Sequence, residues 1–474
     1  RSDDDKVNIN AGAEIKNSNM DMGAGDDIIS MTNGTKITNS KIFMGDGENT
    51  LKITRNSTED NSDINLNSAE IYGGNDNDTV NISDTTGESV ANPKVKLENN
   101  TSINLGDGNN EVTVDGSVLL GKIENGTPTK DIITTGSGRD TITLQNGASI
   151  EERVIKTGEG NDHVNVFDGA SLNFAKIETG KGDDVVRFDH LTENRLQGYS
   201  YSAATDTKIN MGDGRDTLVV YGMGNKGNYA GRTSDFQQVN VDMGDNGVKT
   251  VQMYSSKIET TNITTGSAGD IIEIKNDSLM EGRNNINTGA GMDIIEIRDS
   301  KIQSLDSDKT HKTTINTGDG VDNVINTGDG GDTVNIGGEF FASYAYTEKG
   351  DDTINVNGQI KGWSHIYAGE GGDEITINSG AELHDGTAIY GDKGDDTIML
   401  KSGIDFIAQR NGSLLDGGEG NDTFVIEKVA DINKNYPDEA GNMSGRVQIR
   451  GDKGTDTLKI MDDSASLDFS KGIL

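Results

Sequence analysis

A chain of 474 residues with 31% apolar and 5% aromatic residues, 63 glycines and 3 prolines is too poor in apolar mass for two or three ordinary globular cores and too poor in proline for a disordered linker. Its formal charge of −37 argues against nucleic acid or anionic lipid as partners and makes cations the natural counterpart. No cysteine means no disulfide framework and no thiolate metal site, and no apolar run approaches the ~20 residues that span a bilayer, so the chain is not expected to be membrane-spanning.

The first residues, RSDDDK, are not a signal peptide, and Asp5-Lys6-Val7-Asn8-Ile9 already reads as a strand that follows a turn. The repeat is cut in mid-unit, so the segment is expected to be a piece of a longer protein. From Asp5 onward one pattern recurs. With the aspartate that closes each Gly-x-Gly-x-Asp as a zero point, the segment from Asp140 to Asp162 lies without a gap over that from Asp162 to Asp184, and Asp5 to Asp27 falls into the same 22-residue register. Apolar residues stand two, four and ten places after the aspartate and seven before the next.

Nineteen zero points follow in chain order, at residues 5, 27, 49, 78, 110, 140, 162, 184, 216, 249, 270, 293, 322, 332, 352, 373, 396, 422 and 456. All are aspartate except Asn49, Asn110 and Lys249. Extra length falls between the strand after the aspartate and the apolar residue seven before the next, as in residues 191–207, 221–236 and 340–346. These aromatic-rich insertions on a rigid scaffold are candidate partner contacts. The interval from Asp322 to Asp332 is only ten residues, which predicts a half coil or a local tightening.

Alternation such as Ile294-Ile295-Glu296-Ile297 after a glycine turn, and Ile286-Asn287-Thr288 before it, predicts two or three short strands per repeat. A repeat this small buries its apolar face only by stacking on copies of itself. The predicted fold is therefore all-β: a right-handed parallel β-solenoid (β-helix or β-roll) of about 22 residues per coil and roughly 17–18 coils, continuous over residues 1–474. A compact sandwich is the structural alternative.

Stacking aligns the closing carboxylates, which repel by about 1 kcal/mol per pair at 5 Å in water and more when partly buried. Calcium, with oxygen ligands at roughly 2.3–2.6 Å, bridges such a spacing better than magnesium. The candidate metal ligands are Asp27, Asp78, Asp140, Asp162, Asp184, Asp216, Asp270, Asp293, Asp322, Asp332, Asp352, Asp373, Asp396, Asp422 and Asp456, with Asp140 to Asp216 expected as one run and Asp270 to Asp456 as another. A phosphate loop is excluded because strands such as DTITL, not helices, follow the turns. The competing interpretation is a ladder of polar turns stacked by hydrogen bonds without metal, which Asn49, Asn110 and Lys249 locally favour.

The stretches GGEGNDTFV (Gly417 to Val425) and GDGGDTVNI (Gly328 to Ile336) resemble the Gly-Gly-x-Gly-x-Asp-x-apolar-x repeats of the RTX (repeats-in-toxin) family of secreted proteins. That resemblance implies calcium held in a parallel β-roll by the closing aspartates and the carbonyls of the glycine turns. It also implies folding after type I secretion and surface, adhesin or toxin roles. The chain departs from the family in carrying one motif per coil where the family stacks nonapeptides in tandem, which places calcium along one edge instead of two. Asp76 replaces a second glycine, and Glu348, Asp392 and Asp452 replace the first.

Tyr346, Tyr367 and Tyr390 each lie six residues before a closing aspartate and predict an outward ladder, a candidate ligand or partner surface for polysaccharide. His163, His190, His311, His365 and His384 form no ligand spacing or triad, so no enzyme is expected. The last residues, SASLDFSKGIL (464–474), read as an export signal or a C-terminal cap. Together these features predict a calcium-stabilised extracellular repeat protein of a bacterial cell surface (S-layer, filament or large adhesin) that self-assembles with its own copies or other surface components. The alternative is a polysaccharide-binding or polysaccharide-processing β-helix module.

Overall fold

The computed structural model describes the chain apart from residues 1–2, 60, 88–91, 123–125, 127–129, 190–202, 223–234, 277, 282–283, 290–293, 298–300, 304–313, 318–319, 322–323, 327–328, 332, 337–338, 342–343, 348, 408–411, 429–446 and 463–474. Asp293, Asp322, Asp332, Glu348, His190, His311 and the 464–474 segment lie outside the described residues.

A single coil shows why this sequence winds. After Asp140 the run Thr141–Gln145 alternates half-exposed threonines with the fully buried Ile142 and Leu144. A turn with Asn146 and Gly147 at positive φ leads to Ser149–Glu151, whose Ile150 is buried. Glu152, at φ 48°, is a one-residue corner into Arg153–Glu159, whose Ile155 is buried. The same left-handed corner stands at Asn17, Asn39 and Phe174, with φ of 48–49°. Each strand lies parallel on its counterpart 22 residues on, with Ile142 on Val164, Ile150 on Leu172 and Ile155 on Ile177. A half-buried period-two strand thus becomes a continuous, narrow apolar column. The chain is a parallel β-solenoid with three strands per coil, and no helix among the described residues is long and apolar enough to cross a membrane.

The chain divides into two compact units, Arg1–Lys257 and Ile258–Leu474. In the first, the order after each turn is post-turn strand, middle strand, pre-turn strand. The extra length of the longer coils sits between those strands, as between Val185–Asp189 and Ala204–Thr205.

The second unit starts in that order: Ile271–Lys275 pairs with Ile294–Ile297 after the turn, and Asn285–Asn287 pairs with Thr314–Thr317 before it. The phase then changes. Thr314–Thr317, a pre-turn strand, is followed in its sheet by Thr333–Ile336 and Thr353–Val356, both of which come after turns. Conversely Val324–Asn326, a post-turn strand, is followed by Tyr344–Tyr346, which precedes one. The interval between Asp322 and Asp332 is therefore a half coil. It carries the glycine turns to the opposite side of the coil. The middle strands change sheets with it: one row ends at Asp329–Gly330 and another begins at Gly320–Val321. This corrects the expected single run from Asp270 to Asp456 and the expected single edge of turns, because the closing residues from Asp352 onward form a column of their own on the other side of the coil.

Candidate functional site

The closing residues point into the solenoid. Asp27, Asp78, Asp140, Asp162, Asp184, Asp216, Asp270, Asp352, Asp373, Asp396 and Asp422 are all 2% exposed or less, whereas Asp456, on the last described rung, is exposed. The glycine turns allow this depth by packing backbone on backbone: a Cβ on Gly160, at φ 141°, would lie 1.5 Å from the carbonyl oxygen of Gly138 one rung earlier.

One carboxylate oxygen has a fixed partner. Along a run of aspartates the backbone N–H of one closing residue donates to Oδ1 of the closing residue one rung later: Asp140 to Asp162 at 2.8 Å, Asp162 to Asp184 at 2.8 Å and Asp184 to Asp216 at 3.1 Å. In the second unit Asp352 donates to Asp373 at 2.8 Å, Asp373 to Asp396 at 2.8 Å, Asp396 to Asp422 at 3.0 Å and Asp422 to Asp456 at 3.1 Å. Asn49 and Asn110 accept in the same way from Asp27 and Asp78.

The other oxygen is the chemically informative atom. In Asn49 the side-chain amide donates to the carbonyls of Gly45 and Gly47 in its own turn, both at 2.9 Å, and in Asn110 to those of Gly106 and Gly108 at 3.1 and 3.2 Å. Aspartate has the same shape and no donor. In Asp27, Asp140, Asp162, Asp184, Asp373, Asp396 and Asp422 the Oδ2 is buried without a hydrogen-bond partner. Space is reserved around it: a Cβ on Gly417, five residues before Asp422, would meet that Oδ2 at 2.2 Å. An unpaired buried carboxylate oxygen beside two carbonyl oxygens calls for a proton or a cation.

Lys249 supplies a cation to one such group. Its Nζ lies 2.9 Å from the carbonyls of Gly212 and of Gly214 and 2.6 Å from Oδ2 of Asp216, with both side chains fully buried. Three oxygens of one turn thus hold a positive charge.

Burial pushes the Asp78, Asp140 and Asp184 carboxyls up to about 6 against the opposing pull of their amide donors and, at Asp140 and Asp184, of the Thr135 and Thr179 hydroxyls beside them. Asp373 and Asp396 rise to about 7, first through burial, with the neighbouring carboxylates adding to the shift. Asp78 differs locally: its Oδ2 accepts the Gly74 N–H at 3.2 Å, in the turn where Asp76 replaces the second glycine. Asp392 and Asp452 adopt the left-handed backbone of the glycines they replace, at φ 73° and 66°.

On the outside of these turns the residue between the two glycines stacks rung on rung. In the second unit it reads Lys349, Glu370, Lys393, Glu419, Lys453. Lys393 reaches Glu370 at 2.7 Å, and Lys453 pairs with Glu419. Tyr346, Tyr367 and Tyr390 form the ladder expected of them, with ring centroids 5.0 and 4.8 Å apart and interplanar angles of 3° and 6°. Their faces are turned on one another. The described histidines are dispersed: His163 against Arg139, His365 on the Tyr367 hydroxyl at 3.0 Å, His384 on Glu382 at 3.0 Å.

Among the described residues no three acidic or histidine side chains converge on one point, so the candidate centre is one carboxylate with two main-chain carbonyls, repeated. Two features escaped the sequence. Thr135, Thr157 and Thr179, five residues before their closing aspartates, donate their hydroxyls to the carbonyl of the equivalent residue on the next rung at 2.8, 3.1 and 2.7 Å. Their recurrence in phase was a readable signal. Arg55 is buried and bonded to Asp84 at 3.1 Å and to Ser62 at 3.1 Å; it occurs once, so no period announced it.

No family model and no curated protein matches the chain. Among solved structures, it aligns with a hyperactive, Ca2+-dependent, beta-helical antifreeze protein from an Antarctic bacterium at 14% identity, over 84% of this chain and 96% of that chain, with a TM-score of 0.22. A likeness that loose carries no argument about function.

Proposed function

We propose that this chain is a calcium-stabilised structural or adhesive repeat segment of a bacterial cell surface, a single continuous solenoid whose turns hold calcium ions. The observation that carries the proposal is the partnerless Oδ2, buried on rung after rung in the position from which the Asn49 amide reaches two glycine carbonyls and where, at Asp216, the Lys249 ammonium joins Oδ2 to two of them. The donor set is hard and all oxygen, which suits calcium, and a ring of main-chain carbonyls tolerates the irregular geometry calcium accepts and magnesium resists. Each described site would use the Oδ2 of Asp27, Asp140, Asp162, Asp184, Asp373, Asp396 or Asp422 with the carbonyls two and four residues before it. Asp78, Asp270, Asp352 and Asp456, and Asp293, Asp322 and Asp332 beyond the described residues, are assigned the same role by register. Bound calcium supplies positive charge to buried carboxylates, and nothing in this role requires catalysis.

Neutralising the column couples binding to folding. A chain of charge −37 is least stable where calcium is scarce, which suits export, and gains stability outside the cell where calcium is millimolar. S-layer, filament and large adhesin are the settings that fit an acidic, repetitive solenoid. A polysaccharide-binding role draws less support, since stacked tyrosines offer a sugar their edges and not their faces.

The test is thermal unfolding followed by circular dichroism in excess EGTA and again in millimolar calcium. Calcium is expected to raise the melting temperature by tens of degrees, by mass action on several sites. Superimposable curves would remove the proposal.

A further inference from the structure

We infer that Lys249, Asn49 and Asn110 are built-in substitutes for the bound cation, so that the closing residue decides rung by rung whether a turn takes calcium; this rests on the calcium assignment proposed above. The Lys249 ammonium touches the same three kinds of oxygen that the proposed ion would use: the carbonyls of Gly212 and Gly214 and Oδ2 of Asp216. An ammonium at 2.6–2.9 Å and a calcium ion at roughly 2.3–2.6 Å cannot share those oxygens. The rung of Asp216 is therefore filled by the protein itself.

The local sequence explains the reach. The turn Gly244-Asp245-Asn246-Gly247-Val248-Lys249 has one residue more than Gly212-Asp213-Gly214-Arg215-Asp216. Gly244 stacks over the Gly212 carbonyl and Gly247 over that of Gly214, which returns Lys249 to the closing position above Asp216. A lysine there is long enough to extend back one rung. Asparagine solves the same problem within its own turn: the Asn49 and Asn110 amides place N–H donors on carbonyls that a metal ion would otherwise hold.

The arrangement has a consequence along the column. Asp140, Asp162 and Asp184 follow Asn110 and are succeeded by the Lys249-filled rung of Asp216. Between Asn110 and Lys249, calcium is thus confined to the rungs of Asp140, Asp162 and Asp184, and both borders of that stretch stay closed when calcium is removed.

The experiment counts calcium bound per full chain by equilibrium dialysis with metal analysis, and records melting temperature in EGTA and in calcium. Asn110→Asp and Lys249→Asn are each expected to bind one ion more than the parent, to melt lower than it in EGTA, and to recover in calcium. Asp162→Asn is expected to bind one fewer and to melt higher in EGTA. Calcium bound by the parent with counts unchanged in Asn110→Asp and Lys249→Asn would overturn the substitution while leaving the calcium assignment standing. No calcium bound by the parent would overturn both. Should Lys249→Asn fail to fold, Asn110→Asp, which exchanges an amide for a carboxylate of the same shape, decides the matter alone.

Discussion

The two units solve one electrostatic problem differently. In the first, carboxylate rungs are interrupted by Asn49, Asn110 and Lys249, each of which brings its own N–H donors to the glycine carbonyls. In the second, the described rungs Asp352, Asp373, Asp396, Asp422 and Asp456 follow one another without such relief. The carboxyls differ in the same sense for a local reason: Asp140 and Asp184, beside the Thr135 and Thr179 hydroxyls, are pushed up to about 6, while Asp373 and Asp396, with neighbouring carboxylates and no such hydroxyl, reach about 7. An uninterrupted column gains more from a counter-ion and suffers more without one. The same fold can therefore depend on a cation less in one region than in another.

The sharpest way to break that contrast is chelation. Hydrogen exchange in EGTA is expected to deprotect the strands Thr353–Val356 through Thr457–Ile460 well before Thr141–Gln145 through Val185–Asp189, a difference large enough to appear as two separate unfolding steps. Simultaneous deprotection would erase the distinction.

Acid should do part of calcium's work. Asp373 and Asp396 titrate near 7 when folded against 3.8 for a free carboxyl, so the folded state binds more protons between those values and stability rises as pH falls through that window. In EGTA the second unit is thus expected to melt higher at pH 5 than at pH 8, and the first unit to begin its gain about one unit lower, near the 6 of Asp140 and Asp184. Saturating calcium should flatten both profiles. A melting temperature that climbs with pH in EGTA would contradict the sign.

Two substitutions calibrate the scale. Asp84→Ala strands the buried Arg55 guanidinium and should cost the first unit about 3–5 kcal/mol, equally with and without calcium, as read by denaturant unfolding. Asp396→Asn supplies the missing donors on the second column and should stabilise the metal-free chain by about 1–3 kcal/mol. If Asp396→Asn instead destabilises in EGTA, the orphaned oxygen is not the source of the dependence.

Much of this was legible in the sequence because the period is simple. Apolar residues at fixed places after Asp140 and Asp162 give strands, corners and register at once, and the tyrosine ladder follows by counting back from the closing residue. The half coil was visible as a ten-residue interval, but its effect was not: moving the turns across the coil depends on which sheet Thr333–Ile336 joins, a pairing no local pattern encodes. The site was legible as a row of aspartates and illegible as atoms. That Oδ1 would be taken by an amide one rung away and Oδ2 left without a donor follows from backbone geometry, and Lys249, which looked like a lapse in the motif, became the clearest marker of positive charge in it.

The outward row Lys349, Glu370, Lys393, Glu419, Lys453 adds little to stability, being exposed to water throughout. Its value lies in error correction. Near-identical coils invite a folding chain to dock a strand one rung out of place, where buried apolar residues still meet apolar residues. Alternating signs make that slip juxtapose lysine with lysine and glutamate with glutamate. The row thus acts as a parity check on a structure whose core cannot tell one repeat from the next.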